Sequence, residues 1–168
     1  MLIATQLAGF GAGAAAPTVL TVVSTAGNAI SDSDFSGFPK GEAFDTNTAN
    51  AWATNLTGSG ISGAAWVGQD FGGSSYEIVE IDLRQAWSGG ADTTYGVNSI
   101  KVQYSDNGSA WSDANTISPT LNGTSPSNLQ TFSVTPSGAH RYWRLLANQN
   151  LAGGTHWVIC VCEMKAYV

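Results

Sequence analysis

Basic residues are scarce in this chain. Three Lys and three Arg are spread over 168 positions, against twelve Asp and Glu, for a formal net charge of -6. No basic stripe can be assembled from so few cations, which argues against nucleic acid as a partner. Nor would this charge draw the protein to an anionic membrane surface. No apolar run reaches the roughly 18 residues of a bilayer span, so membrane insertion is not expected. Charged residues make up only 11% of the chain, less than half of the usual share. There are just two cysteines, Cys160 and Cys162. Two apart on a strand, they are expected to share a face. A bond between such neighbours would strain disulfide geometry. With only two His in the chain, a zinc site cannot be completed around them. They read as small buried hydrophobes in a chain made in a reducing compartment. Catalytic signatures are missing as well. Neither His belongs to a nucleophile motif, and there is no phosphate loop or His-Glu-x-x-His helix. A small sandwich rarely forms the two-carboxylate cleft of a glycosidase, so the protein is not expected to be an enzyme.

What is present is apolar residues (43%) with six Trp, which excludes a disordered chain. Ser, Thr and Asn together number 45, and Gly adds 20. Helical periodicity is nearly absent. Strand-like runs broken by turn residues cover 18–23, 65–71, 76–84, 97–105, 129–134, 140–147 and 156–167, which points to an all-β sandwich. Ile100, Val102 and Tyr104 alternate with Lys101 and Gln103, so that strand has one wet face. Val158 to Cys162 is apolar on both faces and reads as a central strand. Asp106-Asn107-Gly108 suits a tight turn. Composition breaks near Pro17. Residues 1–17 form a Gly/Ala-rich apolar arm without the positive start of a signal peptide, and residues 18–168 form one domain. The arm either folds back on its own domain or packs on another subunit; docking is the working expectation.

Four segments carry a family resemblance. Ala43-Phe44-Asp45-Thr46-Asn47-Thr48-Ala49-Asn50-Ala51-Trp52 has the loop pattern Ala-Phe-Asp-Gly-Asn-x-x-Thr-x-Trp. Ala65-Trp66-Val67-Gly68-Gln69-Asp70-Phe71-Gly72 follows a Trp-Val-x-x-Asp-Phe-Gly strand. Tyr104-Ser105-Asp106-Asn107-Gly108-Ser109-Ala110-Trp111 matches a Tyr-Ser-x-Asn-Gly-x-x-Trp hairpin. Arg141-Tyr142-Trp143-Arg144-Leu145-Leu146 precedes a last strand ending at Glu163. In this order the four resemble the discoidin or coagulation-factor 5/8 type C family, which overlaps the family 32 carbohydrate-binding modules. The resemblance implies an eight-stranded antiparallel jelly-roll sandwich. It makes Trp52, Trp66, Trp111 and Trp143 structural; Arg144, for its part, is expected to satisfy core carbonyls or carboxylates instead of binding a ligand.

The same resemblance implies a structural calcium ion. Asp45 and Glu163 would give carboxylates, Ala43, Asn47 and Cys162 carbonyls, and Asn50 an amide oxygen where the family has Thr. From the residues alone, Asp45 could equally cap amides in a metal-free Asx-turn.

Ligand contacts in such modules lie on loops at one end of the sandwich. Arg84 stands where galactose-binding members carry a sugar-contacting Arg. Trp87, Asp92 and Tyr95 follow in a Gly-rich loop, with Asn98 just beyond. Asn148, His156 and Trp157 are the candidates on the closing side. Galactose binders have a His just after the loop Trp and another aromatic nearby, where this chain has Ala53 and Leu56. The expected function is non-catalytic recognition of a cell-surface glycan. Free thiols and the missing signal peptide further suggest a phage virion protein, made in the host cytoplasm and present in many copies on a tail or capsid. It would dock on other virion proteins through residues 1–17. A purely structural virion component and a secreted, extracellular lectin are the alternatives.

Overall fold

The computed structural model describes residues 19–151 and 153–168; the arm lies outside them. Among the described residues, ten strands form two antiparallel five-stranded sheets packed face to face. The strands are β1 (Leu20–Val22), β2 (Ala29–Ser31), β3 (Trp52–Ala53), β4 (Trp66–Asp70), β5 (Glu80–Gln85), β6 (Ile100–Ser105), β7 (Ser112–Ile117), β8 (Gln130–Ser133), β9 (Tyr142–Ala147) and β10 (Val158–Tyr167). The first sheet has the order β1-β10-β5-β8, with the short β3 also paired to β10. The second has the order β2-β4-β9-β6-β7. The expected β sandwich is therefore present, with more strands than the eight anticipated. β2, β3 and β7 lay outside the expected runs. β2 and β3 have only three and two residues. β7, Ser-Asp-Ala-Asn-Thr-Ile, is a mostly exposed edge strand, and so it lacks an alternating apolar face.

The core forms where the inner faces meet. Ile81 and Leu83 of β5, Ile100 and Val102 of β6, and Trp143, Leu145 and Ala147 of β9 are all buried there. Buried indoles have their N–H groups satisfied, as burial requires. Trp143 donates to the Tyr76 carbonyl at 2.9 Å, and Trp157 to Gln85 Oε1 at 2.8 Å. The same Gln85 amide exchanges two bonds with the Val97 backbone, at 2.8 and 2.9 Å.

The two cysteines do not share a face. The β10–β5 register shifts between Ile159 and Val161. This bulge reverses the alternation for the residues before it. Cys162 joins Ile159, Met164 and Ala166 in the central core. Cys160 instead joins Ala51, Ala53, Val158 and Val161 in a second, smaller cluster on the other side of the sheet.

Candidate functional site

The second cluster underlies the candidate site. Phe35, Phe38, Trp87 and Tyr95 pack over it, half-buried. Together with Ala53, Thr155, His156 and Val158 they line an open cavity of about 290 Å³.

Each wall has a local cause. Phe35 and Phe38 face one another across an antiparallel bridge, with Gly37 at φ 85° in the turn between them. That left-handed angle suits glycine. The turn is tied to β3: Phe35 N donates to the Ala53 carbonyl at 2.8 Å, and Ala53 N to the Phe38 carbonyl at 3.3 Å. On the other side the chain leaves β5 through Ala86, at φ 63°. The Ala86 amide bonds the Val158 carbonyl at 2.9 Å. Trp87 follows, its ring 4.9 Å from that of Tyr95 and 5.5 Å, edge-on, from that of Phe38. Gly90 lies beneath these rings. A Cβ there would stand 2.7 Å from both the Trp87 and Tyr95 rings, so only glycine fits.

His156 closes the site, its ring 4.3 Å from that of Phe35. Its Nδ1 lies 2.9 Å from the Thr54 carbonyl. A carbonyl only accepts, so Nδ1 donates, which leaves Nε2 as the ring's other polar atom. Thr54 is itself fixed, its Oγ1 donating to Asp32 Oδ2 at 2.8 Å.

Of the ligand residues expected from sequence, the fold brings together Trp87, Tyr95 and His156. The others sit elsewhere. Arg84 is half-buried on β5 opposite Val161 and does not line the cavity. Asp92 is fully buried and accepts from the amides of Gly123 at 2.8 Å and Asn122 at 3.3 Å. It ties two loops together instead of facing a ligand. Trp157 is fully buried, edge-on to Trp52 at 5.6 Å, and belongs to the core. Asn98 is exposed away from the cavity lining, and Asn148 is exposed and bonds Ser99 Oγ at 3.0 Å. Sequence reasoning missed Phe35 and Phe38. Two aromatics flanking Ser-Gly was the available signal, upstream of the segments that carried the resemblance.

Of the residues expected around calcium, Ala43 lies in the 3₁₀ turn Lys40–Phe44, which packs on β10, the strand of Cys162 and Glu163; Asp45, Asn47 and Asn50 follow in the next loop. Asp45 Oδ1 accepts the Asn47 amide at 2.8 Å, and Oδ2 faces Asn50 Nδ2 at 3.4 Å. Thr46 holds φ 63° in this turn. Asn47 Oδ1 accepts the Ala49 amide at 3.0 Å. The buried Cys162 has its carbonyl 3.5 Å from the Ser24 hydroxyl, and Glu163 lies on β10 opposite Asp82. The loop is thus closed by its own Asx-turns. Among the described residues, no three His, Cys, Asp or Glu side chains converge. An ion here would rest on few carboxylates and mainly on neutral oxygens, a donor set of the hard-oxygen type that calcium accepts.

Trp66 of β4 and Trp111, the residue before β7, are half-buried and outside the core. The Arg144 guanidinium sits between them, 5.1 and 4.0 Å from their ring centres. Its Nε donates to Gln103 Oε1 at 2.8 Å, so it satisfies a side-chain amide and two aromatic faces instead of core carbonyls.

The family model that matches the chain is that of the F5/8 type C domain, over residues 26–163. Among curated proteins none matches. Similar solved structures include the family 32 carbohydrate-binding module of Clostridium perfringens NanJ in complex with galactose. It has a TM-score of 0.64 at 13% identity, with 88% of this chain and 99% of that one covered. CBM62 from Clostridium thermocellum Xyl5A gives 0.61 at 21% identity, covering 90% and 98%. CpGH89CBM32-5 of Clostridium perfringens, in complex with GalNAc-β-1,3-galactose, gives 0.60 at 16%, covering 81% and 92%. These identities speak for the fold. With the family model spanning most of the sandwich, the chain belongs to the F5/8 type C domain family.

Proposed function

We propose that this domain binds a cell-surface carbohydrate, without catalysis, in the cavity between Trp87, Tyr95, Phe35, Phe38 and His156. The observation that carries this reading is the cavity itself. Several half-buried aromatic rings surround an opening of about 290 Å³, with an imidazole in the wall. Aromatic faces suit sugar C–H groups, and the few polar atoms orient hydroxyls. Related folds that hold galactose or GalNAc-β-1,3-galactose support the ligand class. The test is a glycan array with purified protein, followed by affinity measurement on the hits. Trp87→Ala should weaken binding about tenfold, the equivalent of ~1.4 kcal/mol, while the far-UV spectrum is unchanged. Unchanged affinity would remove the cavity from consideration.

In its finer form, the proposal places the domain in many copies on a phage tail or capsid, docked through residues 1–17. The two free thiols support production in a host cytoplasm. Repetition would raise weak sugar affinity through avidity. A variant lacking residues 1–16 should then fail to incorporate into particles; normal incorporation would defeat the docking role. Calcium held by Asp45, Asn50 and Glu163, with the carbonyls of Ala43, Asn47 and Cys162, is proposed as a stiffener of the loop beside the site.

A further inference from the structure

We infer that the cavity selects a neutral sugar presenting a methyl group, as a 6-deoxyhexose or an N-acetylhexosamine does, over the parent hexose or an acidic sugar. This rests on the carbohydrate-binding reading above and narrows its ligand class. Ala53 and Val158 are the two nearly fully buried members of the lining, each 2% exposed, and so they form its floor. Both side chains end in methyl groups. Three of the four backbone polar groups beneath them are already bonded. The Ala53 amide and carbonyl are bonded to Phe38 and Phe35, and the Val158 carbonyl accepts from Ala86. A sugar hydroxyl pressed onto this floor would leave water and find no partner, whereas a methyl group would gain contact.

The rim differs. His156, Thr155 and Tyr95, lining residues with polar side-chain atoms, are all more exposed than the floor. Hydroxyls can therefore be met at the mouth, while the floor takes the apolar end. Charge adds a second constraint. Among the described residues no Asp, Glu, Lys or Arg lines the cavity, and Arg84 stands outside it. The chain as a whole carries -6. A uronic or sialic carboxylate would meet no cation in the lining and would enter against the net field. The volume lies at the small end of the roughly 300–1,000 Å³ range of ligand sites, which suits one sugar ring.

The experiment is calorimetric titration of the full chain with methyl glycosides of gluco, galacto and manno configuration. Each parent hexoside is compared with its 6-deoxy analogue, its N-acetylhexosaminide and its uronide. At least one methyl-bearing member should bind tenfold or more tightly than its parent hexoside, and no uronide should bind. The 6-deoxy and acetamido arms separate the two sources of the methyl group. Val158→Thr, which keeps the side-chain shape but puts a hydroxyl on the floor, should shrink that preference to less than threefold. Parent hexosides binding as tightly as their methyl-bearing analogues, or a uronide binding best, would overturn the inference and leave carbohydrate binding standing. No binding to these sugars or to any glycan of a broad array would overturn both.

Discussion

Cys160 and Cys162 show how one irregular backbone step separates neighbours. The bulge sends one thiol to each side of β10. Burial pushes the Cys160 thiol up to about 11, and it pushes Cys162 higher still. Only the thiolate is nucleophilic, so both should be inert near neutral pH. Native protein is expected to show no reaction with Ellman's reagent over an hour, and two reactive thiols in guanidinium. Rapid native labelling at either position would mean that β10 opens locally. Arg144 obeys the same physics with opposite sign. Desolvation between Trp66 and Trp111 lowers its value to about 10, only partly offset by the more distant Asp113. It still carries its charge at neutral pH.

At the scale of elements, loops are held by side chains that accept backbone amides. Asp92 fastens the Asn122-Gly123 turn against α1 (Asp92–Tyr95), the helical turn that carries Tyr95 to the cavity. Asp45 does the same within its own loop. Such a loop can stand without an ion, yet a bound cation would still stabilise the folded state by mass action. Calcium at one hundred times its dissociation constant adds about 2.7 kcal/mol. For a domain of this size that corresponds to a rise in Tm of several degrees. Thermal unfolding in millimolar calcium should therefore exceed that in EDTA, and Asp45→Asn should abolish the difference. Identical curves for the unmodified protein in the two buffers would remove calcium from the description.

Taken whole, the sandwich is held by its apolar interior, with few charges at its surface. Two of these belong to acid-sensitive carboxylates. The Arg141 guanidinium bonds Asp70 at 2.7 and 3.0 Å and holds its carboxyl below the ordinary 3.8. Hydrogen bonds from Gln103 and then Lys101 do the same for Asp113. A carboxyl lowered on folding stabilises fully above its unfolded value, and that contribution fades as pH falls through the folded one. Stability should thus be level from neutral pH to about 4 as far as these groups are concerned, and decline below 3.8. Both pairs are partly exposed, so the effect should be small and shrink in high salt. Tm measured from pH 5 to pH 2 tests this. Asp70→Asn should flatten the decline, and an equal decline in that variant would assign it to other groups.

Alternation, turn residues and four ordered motifs determined the β-sandwich and its family, because inward-facing apolar positions recur locally along each strand. Ile100-Lys101-Val102 is legible for that reason, whereas Gln103, expected on the wet face, is buried where the β6–β7 register shifts. Trp87, Tyr95 and His156 were legible as an aromatic loop and its partner across the site. The tertiary structure alone decided the rest. Asp92 and Trp157 look like polar and aromatic loop contacts in sequence, but long-range partners, the amides of residues 122 and 123 and the amide of Gln85, draw them inside. The positions of Cys160 and Arg84 depend on a register shift that no single-strand pattern encodes. Phe35 and Phe38 become cavity walls only because their backbone is bonded to β3, a strand of two residues. A cavity is a relation between segments distant in the chain, and local periodicity carries no information about it.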